Sequence, residues 1–355
     1  MKQKITFLFL NIFLISILSA CSNGGAIQGW SGINTDPSRG TIFLANNSQI
    51  YALQLSNGNI KWRFPEKEDG NKLFFAAPTV TSDGQLIVAS YDHKLYSLNP
   101  DNGQINWTFE KAKGKFIASP LVTEDAIYAS CADENLYAID MKGNPLWVFP
   151  TKHALWSKPV LHNGVLYLAA LDSQLYAFNP KNGDVIWSID MGGASVATPV
   201  LDAKGNLYIG TFAKEMLSID PSGKIRWRTT TQAWVWSSAL IDEQQVYFGD
   251  TSGNFYGLDL SNGKVNWQII PSATPISGTP LLINNTIYFA NEGGILYAID
   301  KQGKALWNVP VNGKVHADLH YIDNLIFVAP EGGDALLLSF STDGQRKWSF
   351  SPPKK

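Results

Sequence analysis

Cysteine is almost absent from this 355-residue chain: there are two, Cys21 and Cys131, which excludes a disulfide framework. Charge is sparse as well, at 16% charged residues and a net of −2, and no run of lysine or arginine is present to track a phosphate backbone. Nucleic acid is therefore not an expected partner. Of the five histidines, His93, His153 and His162 are scattered. No Ser-His-Asp order, phosphate-binding glycine loop or calcium-loop spacing occurs, so no catalytic residue is nominated.

What the chain has is a beat. Gly58, Gly103, Gly143, Gly183, Gly223, Gly263, Gly303 and Gly344 are each followed four residues later by a tryptophan. These are Trp62, Trp107, Trp147, Trp187, Trp227, Trp267, Trp307 and Trp348. Such a period, with short β-prone runs between turn residues, means radial β repetition: an all-β, eight-bladed propeller of four-stranded antiparallel blades. The repeat overrides the two or three domains that length alone suggests, because each unit needs neighbours to bury its faces. In the unit from Lys115 to Phe149, strand A is expected over 117–122, B over 126–130, C over 135–140 and D over 144–149. Asn99, Asp140, Asn179, Asp220, Asp259 and Asp300 end strand C, where an Asx side chain bonds turn backbone. The glycine supplies the positive φ of the C–D hairpin. All eight tryptophans are expected to be structural, each burying about 200 Å² as a wedge between adjacent sheets. Blade 1 opens near Trp30 to Ile33 and blade 8 ends near 350, so the ring is expected to close by packing, without one terminus completing the other's sheet.

The N-terminus carries an address. Lys2 and Lys4 precede an apolar stretch from Ile5 to Leu18, then Leu18-Ser19-Ala20-Cys21. This reads as a secretory signal, too short for a membrane span. Small residues before the cysteine resemble the lipobox of bacterial lipoproteins, which implies diacylation of Cys21 and anchorage to a membrane. Ser22, rather than aspartate, favours the outer membrane if the source has two. The expected organisation is signal peptide 1–20, tether 21–29, a single propeller 30–350 and a tail 351–355.

At the C–D corners, Ala177 to Trp187 (AFNPKNGDVIW) and Gly257 to Trp267 (GLDLSNGKVNW) resemble the tryptophan-docking repeat of the pyrroloquinoline-quinone (PQQ) propeller superfamily. The quinoprotein dehydrogenases of that superfamily are longer and use an adjacent-cysteine pair and a calcium ion. This chain has no such pair, so neither PQQ nor any other cofactor is expected, nor dehydrogenase activity. With its lipobox, eight blades and length it is similar to the BamB-type lipoproteins. That resemblance implies a non-catalytic binding or scaffolding module of the bacterial envelope, on the periplasmic side of the outer membrane, with an envelope protein as partner. A second reading is a small-molecule sensor, for a quinone or sugar, or a PQQ-dependent enzyme using the funnel mouth.

Candidate binding residues come from the loops. Three positions before the strand A proline, or its equivalent, stand Phe75, Ile117, Trp156, Val196, Trp236, Ser277 and His316, with Trp30 and Trp234 nearby. They form either an aromatic pocket and partner surface or a plug filling the wide axis. The B–C turns on that face carry Asp92, Asp133, Glu134, Asp172, Glu215, Asp250, Glu292, Glu331 and Asp334, offset mainly by Lys94 and Lys214. They are either a steering field for a basic partner or ordinary solvated turns. His316, Asp318 and His320 alternate along the expected strand A of blade 8. Ends ~13 Å apart on a strand do not share one ion, so a polar stripe is expected there and no metal site.

Overall fold

A computed structural model describes residues 31–352. Its strands form eight four-stranded sheets, each built from four consecutive strands in simple meander order. Blade 1 comprises Gly32–Asp36, Thr41–Asn46, Gln49–Gln54 and Ile60–Phe64, and blade 8 comprises His320–Ile322, Leu325–Val328, Leu337–Ser341 and Arg346–Phe350. Among the described residues no strand from one end of the chain enters the sheet of the other, as expected from the repeat count.

Strands B and C of each blade are buried on both faces, which explains apolar runs such as Leu86–Ala89 and Ile127–Ala129. Their side chains pack between blades. Phe43, Ala45 and Ile50 of blade 1 meet Leu86, Val88 and Leu98 of blade 2, and the same pattern repeats around the ring. It also closes the ring: Phe327, Ala329, Leu337 and Phe350 of blade 8 pack on Ile33, Ile42, Leu44 and Leu53 of blade 1.

The glycine and tryptophan of one repeat do not serve each other. Each indole lies over the glycine of the following blade, so a β-carbon on Gly103 would sit 2.6 Å from Trp62. In the same way Trp107 covers Gly143, Trp227 covers Gly263 and Trp307 covers Gly344. The indole N–H then donates to a carbonyl two or three residues before that glycine. Trp62 reaches Pro100 at 2.9 Å, Trp107 Met141 at 3.0 Å, Trp147 Pro180 at 2.9 Å and Trp187 Pro221 at 3.0 Å. Trp227 reaches Leu260 at 3.3 Å, Trp267 Lys301 at 2.9 Å and Trp307 Thr342 at 3.2 Å. Gly103 itself has φ +74°, as the hairpin requires. In every blade the C–D pairing slips by one residue beside the tryptophan, in blade 3 between Ala138 and Ile139.

The tryptophans are wedges, as expected, but their burial is uneven. Trp62 and Trp227 are buried, whereas Trp107, Trp147, Trp187, Trp267, Trp307 and Trp348 are only half-buried. The reason is their place on strand D, which pairs with strand C alone and forms an edge of its sheet. The next blade's hairpin covers the ring from one side, while flanking strand D residues such as Leu146 and Val148 remain exposed.

Strand A is shorter than the sequence suggests. In blade 3 it spans only Leu121–Val122, against an expected start at 117. The segment before it bonds to neighbouring blades instead of its own sheet. The Phe116 N–H donates to Ser90 O at 3.1 Å, and Pro120 has no N–H to give while its carbonyl accepts from Thr79. Blade 8 behaves alike, so of the alternating trio only His320 lies on its strand A and His316 and Asp318 precede it.

Candidate functional site

The bonds between D–A connections and the next B–C turns place both on one face. The Lys113 N–H donates to Asp133 Oδ2 at 2.8 Å, and the Lys152 N–H to Asp172 Oδ2 at 3.2 Å. At the centre of that face is a cavity of about 610 Å³. Phe75, Ile117, Trp156, Val196, Trp234, Trp236, Ser277 and His316 all line it. They therefore surround an open axial space and do not fill it. None of the eight repeat tryptophans is among its lining residues. Trp30 and Cys21 lie outside the described residues.

The rings are not equivalent. Phe75 is 1% exposed and sits edge-on to Tyr91, with centroids 4.7 Å apart, so it belongs mainly to the wall. Trp234 and Trp236 both pack on Phe212, at 5.2 and 5.3 Å, and form an aromatic bank in blades 5 and 6.

Further round the ring, in blades 7 and 8, is a polar arc. His316 Nδ1 lies 3.2 Å from Glu292 Oε1, and Glu292 also accepts from the Ser277 hydroxyl at 2.6 Å. Although burial opposes it, the Glu292 charge holds the His316 imidazolium above its ordinary pKa. These bonds likewise hold Glu292 below its usual range against the pull of burial. Glu331, 4.0 Å from His316 Nε2, is different: burial, aided by the Glu292 charge, pushes its carboxyl up to about 7. Asp318 Oδ1 accepts from the Thr279 N–H at 2.8 Å, which staples blade 8 to blade 7. Among the described residues no three His, Cys, Asp or Glu side chains converge to hold a metal ion.

The acidic B–C turns have internal duties. Asp92, Asp133 and Asp172 each accept from the hydroxyl of a tyrosine four residues on, Tyr96 at 2.5 Å, Tyr137 at 2.7 Å and Tyr176 at 2.7 Å. Asp250 does the same for Tyr256 at 2.9 Å, and Glu215 pairs with Arg228 at 2.8 Å. Each of these carboxylates thus satisfies a group of its own fold.

The sequence reading missed Lys158. It lines the cavity at the position where other blades place Ser119, Thr198, Ser238 and Thr279. A charged residue among small hydroxyls at one repeat position was a visible signal. Among the described residues Cys131 is the one cysteine, buried between blades 2 and 3.

Comparison with known proteins agrees with this geometry. The sequence model of the family described as "Outer membrane protein assembly factor BamB" matches residues 46–269 and 270–354. Relatives bearing that name include one from Nitrosomonas eutropha, 29% identical over 44% of this chain and 40% of its own length. Another, from Moranella endobia, is 22% identical over 80% of this chain and 76% of its own. A tetrathionate hydrolase of Acidithiobacillus ferrooxidans is 23% identical over 74% of this chain and 67% of its own. The crystal structure of BamB from Moraxella catarrhalis superposes with a TM-score of 0.71 at 15% identity, covering 86% of this chain and 92% of that one. The chain spans less than half the length of the Nitrosomonas relative and between two thirds and four fifths of the other two. With its two matches running almost end to end through the blades, the chain belongs to the family of outer membrane protein assembly factor BamB.

Proposed function

We propose that this protein is a non-catalytic scaffold of outer-membrane protein assembly, anchored through lipid on Cys21 and facing the periplasm. The observation that carries this reading is the family match across both halves of the chain, joined to an axial mouth bordered by large rings. Aromatic side chains on a rigid frame are what protein hot spots are made of. The polar groups at the mouth are engaged with one another: Glu292 accepts from the Ser277 hydroxyl and pairs with His316, and Asp318 accepts from the Thr279 backbone. The partner in this reading is another protein of the outer-membrane assembly machinery, and PQQ has no role.

Depletion in the source cell tests it. The reading predicts that folded outer-membrane barrels fall while their unfolded precursors accumulate, and that Cys21→Ser releases the protein from the membrane fraction. Unchanged barrel folding in depleted cells would contradict the scaffold role.

A further inference from the structure

Lys158 belongs to blade 4 and Asp318 to blade 8, four blades away and so directly across the axis of an eight-bladed ring. Both line the cavity. At the equivalent positions Ser119, Thr198, Ser238 and Thr279 carry only hydroxyls, and that of Ser238 serves the ring itself, accepting from the Thr198 N–H at 3.0 Å. Asp318 performs the same stapling duty for Thr279. Lys158 performs none. Among the described residues it donates no hydrogen bond and no carboxylate comes within ion-pair distance of its ammonium; Asp318 acts on it only through space.

The Lys158 side chain is half-buried, its ammonium has no partner among the described residues, and desolvation pulls its pKa below the ordinary lysine value. The imidazole of His320, close enough to feel both Lys158 and Asp318, carries no negative charge in either protonation state, and burial pulls its pKa below the ordinary histidine value. A second donor on the same segment, Trp156 Nε1, is also buried without an acceptor. Ammonium and indole N–H groups only donate, so the group missing from this wall is an acceptor. The cavity beside it holds about 610 Å³, the size of a small-molecule site, and is banked by flat rings.

We propose that the axial cavity binds a small organic monocarboxylate with a flat ring, its carboxylate held by the Lys158 ammonium and its ring laid against Trp156 and Trp236. A single negative charge matches a single unpaired cation. A dianion or trianion would set its excess charge against Asp318 and Glu292, which line the same space. The ring requirement follows from the aromatic bank, which offers faces and few polar atoms. This site goes beyond the scaffold reading and does not depend on it, since it is complete within one chain.

Isothermal calorimetry on the purified full-length protein, without any partner, provides the test. The probes are 2-naphthoate, its neutral counterpart 2-naphthamide, and acetate. The expected result is one site for naphthoate, with naphthamide and acetate each at least tenfold weaker. Lys158→Met should reduce naphthoate to the level of the amide and leave the amide unchanged, whereas Lys158→Arg should keep the preference for the carboxylate. Lys158→Met should not lower Tm, because removing a partly buried, unpaired ammonium removes a cost. Equal binding of naphthoate and naphthamide, an unaltered preference in Lys158→Met, or no heat from naphthoate at millimolar concentration would each overturn the assignment. Acetate binding as well as naphthoate would overturn the ring requirement.

Discussion

Trp348 meets Gly58 across the closure of the ring as every other repeat tryptophan meets the next glycine, with a Gly58 β-carbon position only 2.7 Å from the indole. Yet its Nε1 is buried with no acceptor, while the indoles of blades 1 to 7 each donate to a carbonyl of the following blade. The closing seam thus repeats the packing of the other seven and lacks their hydrogen bond.

A matched pair of substitutions reads that difference. Trp147→Phe loses ring area and the bond to Pro180 O; Trp348→Phe loses ring area and an unsatisfied donor. Both rings are half-buried, so the area lost is alike. Trp147→Phe should cost about 1–2 kcal/mol more in denaturant unfolding. Equal costs would mean that the indole bonds add nothing to the interlock.

A second pair separates steric from conformational demand. Gly183 and Gly164 share positive φ, +75° and +77°, but a β-carbon on Gly183 would lie 2.6 Å from Trp147, whereas one on Gly164 would meet nothing within 4 Å. Gly164→Ala should cost about 1 kcal/mol and Gly183→Ala about 2–4 kcal/mol, measured by thermal or chemical melts.

The acidic turns should behave as structural groups. Asp133→Ala leaves the Tyr137 hydroxyl and the Lys113 N–H without their acceptor and should destabilise by about 1–3 kcal/mol. A neutral result would return these carboxylates to the role of a surface field.

The His316–Glu331 corner sets a pH dependence. Glu331 has its folded pKa raised from 4.5 to about 7, so the folded state binds the extra proton between those values and stability falls as pH rises through that window. His316, raised from 6.5, acts in the same direction: its contribution is complete below 6.5 and lost as pH climbs through its folded value. Glu292, held below 4.5, acts oppositely and only in acid, where its contribution is lost as pH falls through its folded pKa. Glu331→Gln should therefore raise Tm at pH 8 and change it little at pH 5, an effect on the order of 1 kcal/mol after solvent screening. A variant that gains nothing at pH 8 would contradict a carboxyl that resists ionisation.

The fold was legible because its determinant is periodic. The Gly-to-Trp spacing records one interlock eight times, and any single copy, such as Gly103 with Trp107, would have read only as a hairpin. The uneven burial of the rings was not legible: Trp227 is buried and Trp307 half-buried although both stand at the same repeat position, because the cover comes from the neighbouring blade. Strand A was misjudged because its backbone partners are in other blades; the Phe116–Ser90 bond leaves no local trace in sequence. The tyrosine duty of the acidic turns was visible in retrospect, in the shared spacing of Asp92 to Tyr96, Asp133 to Tyr137 and Asp172 to Tyr176. Loop position alone pointed to Phe75, Trp156, Trp234, Trp236 and His316, which line the cavity, but an open cavity differs from a plug by side-chain conformation. Lys158 stood out only once the repeats were set in register on their strand A prolines.

The central claim is that this propeller works by holding a partner protein at its aromatic mouth. Pulldown of the full-length protein from native membranes, alongside the Trp156→Ala/Trp236→Ala double variant, tests it most directly. The account predicts that an outer-membrane barrel-assembly protein co-purifies with the wild type and is lost from a double variant that still folds. A wild-type eluate containing only the propeller, or a partner held equally by the variant, would contradict it.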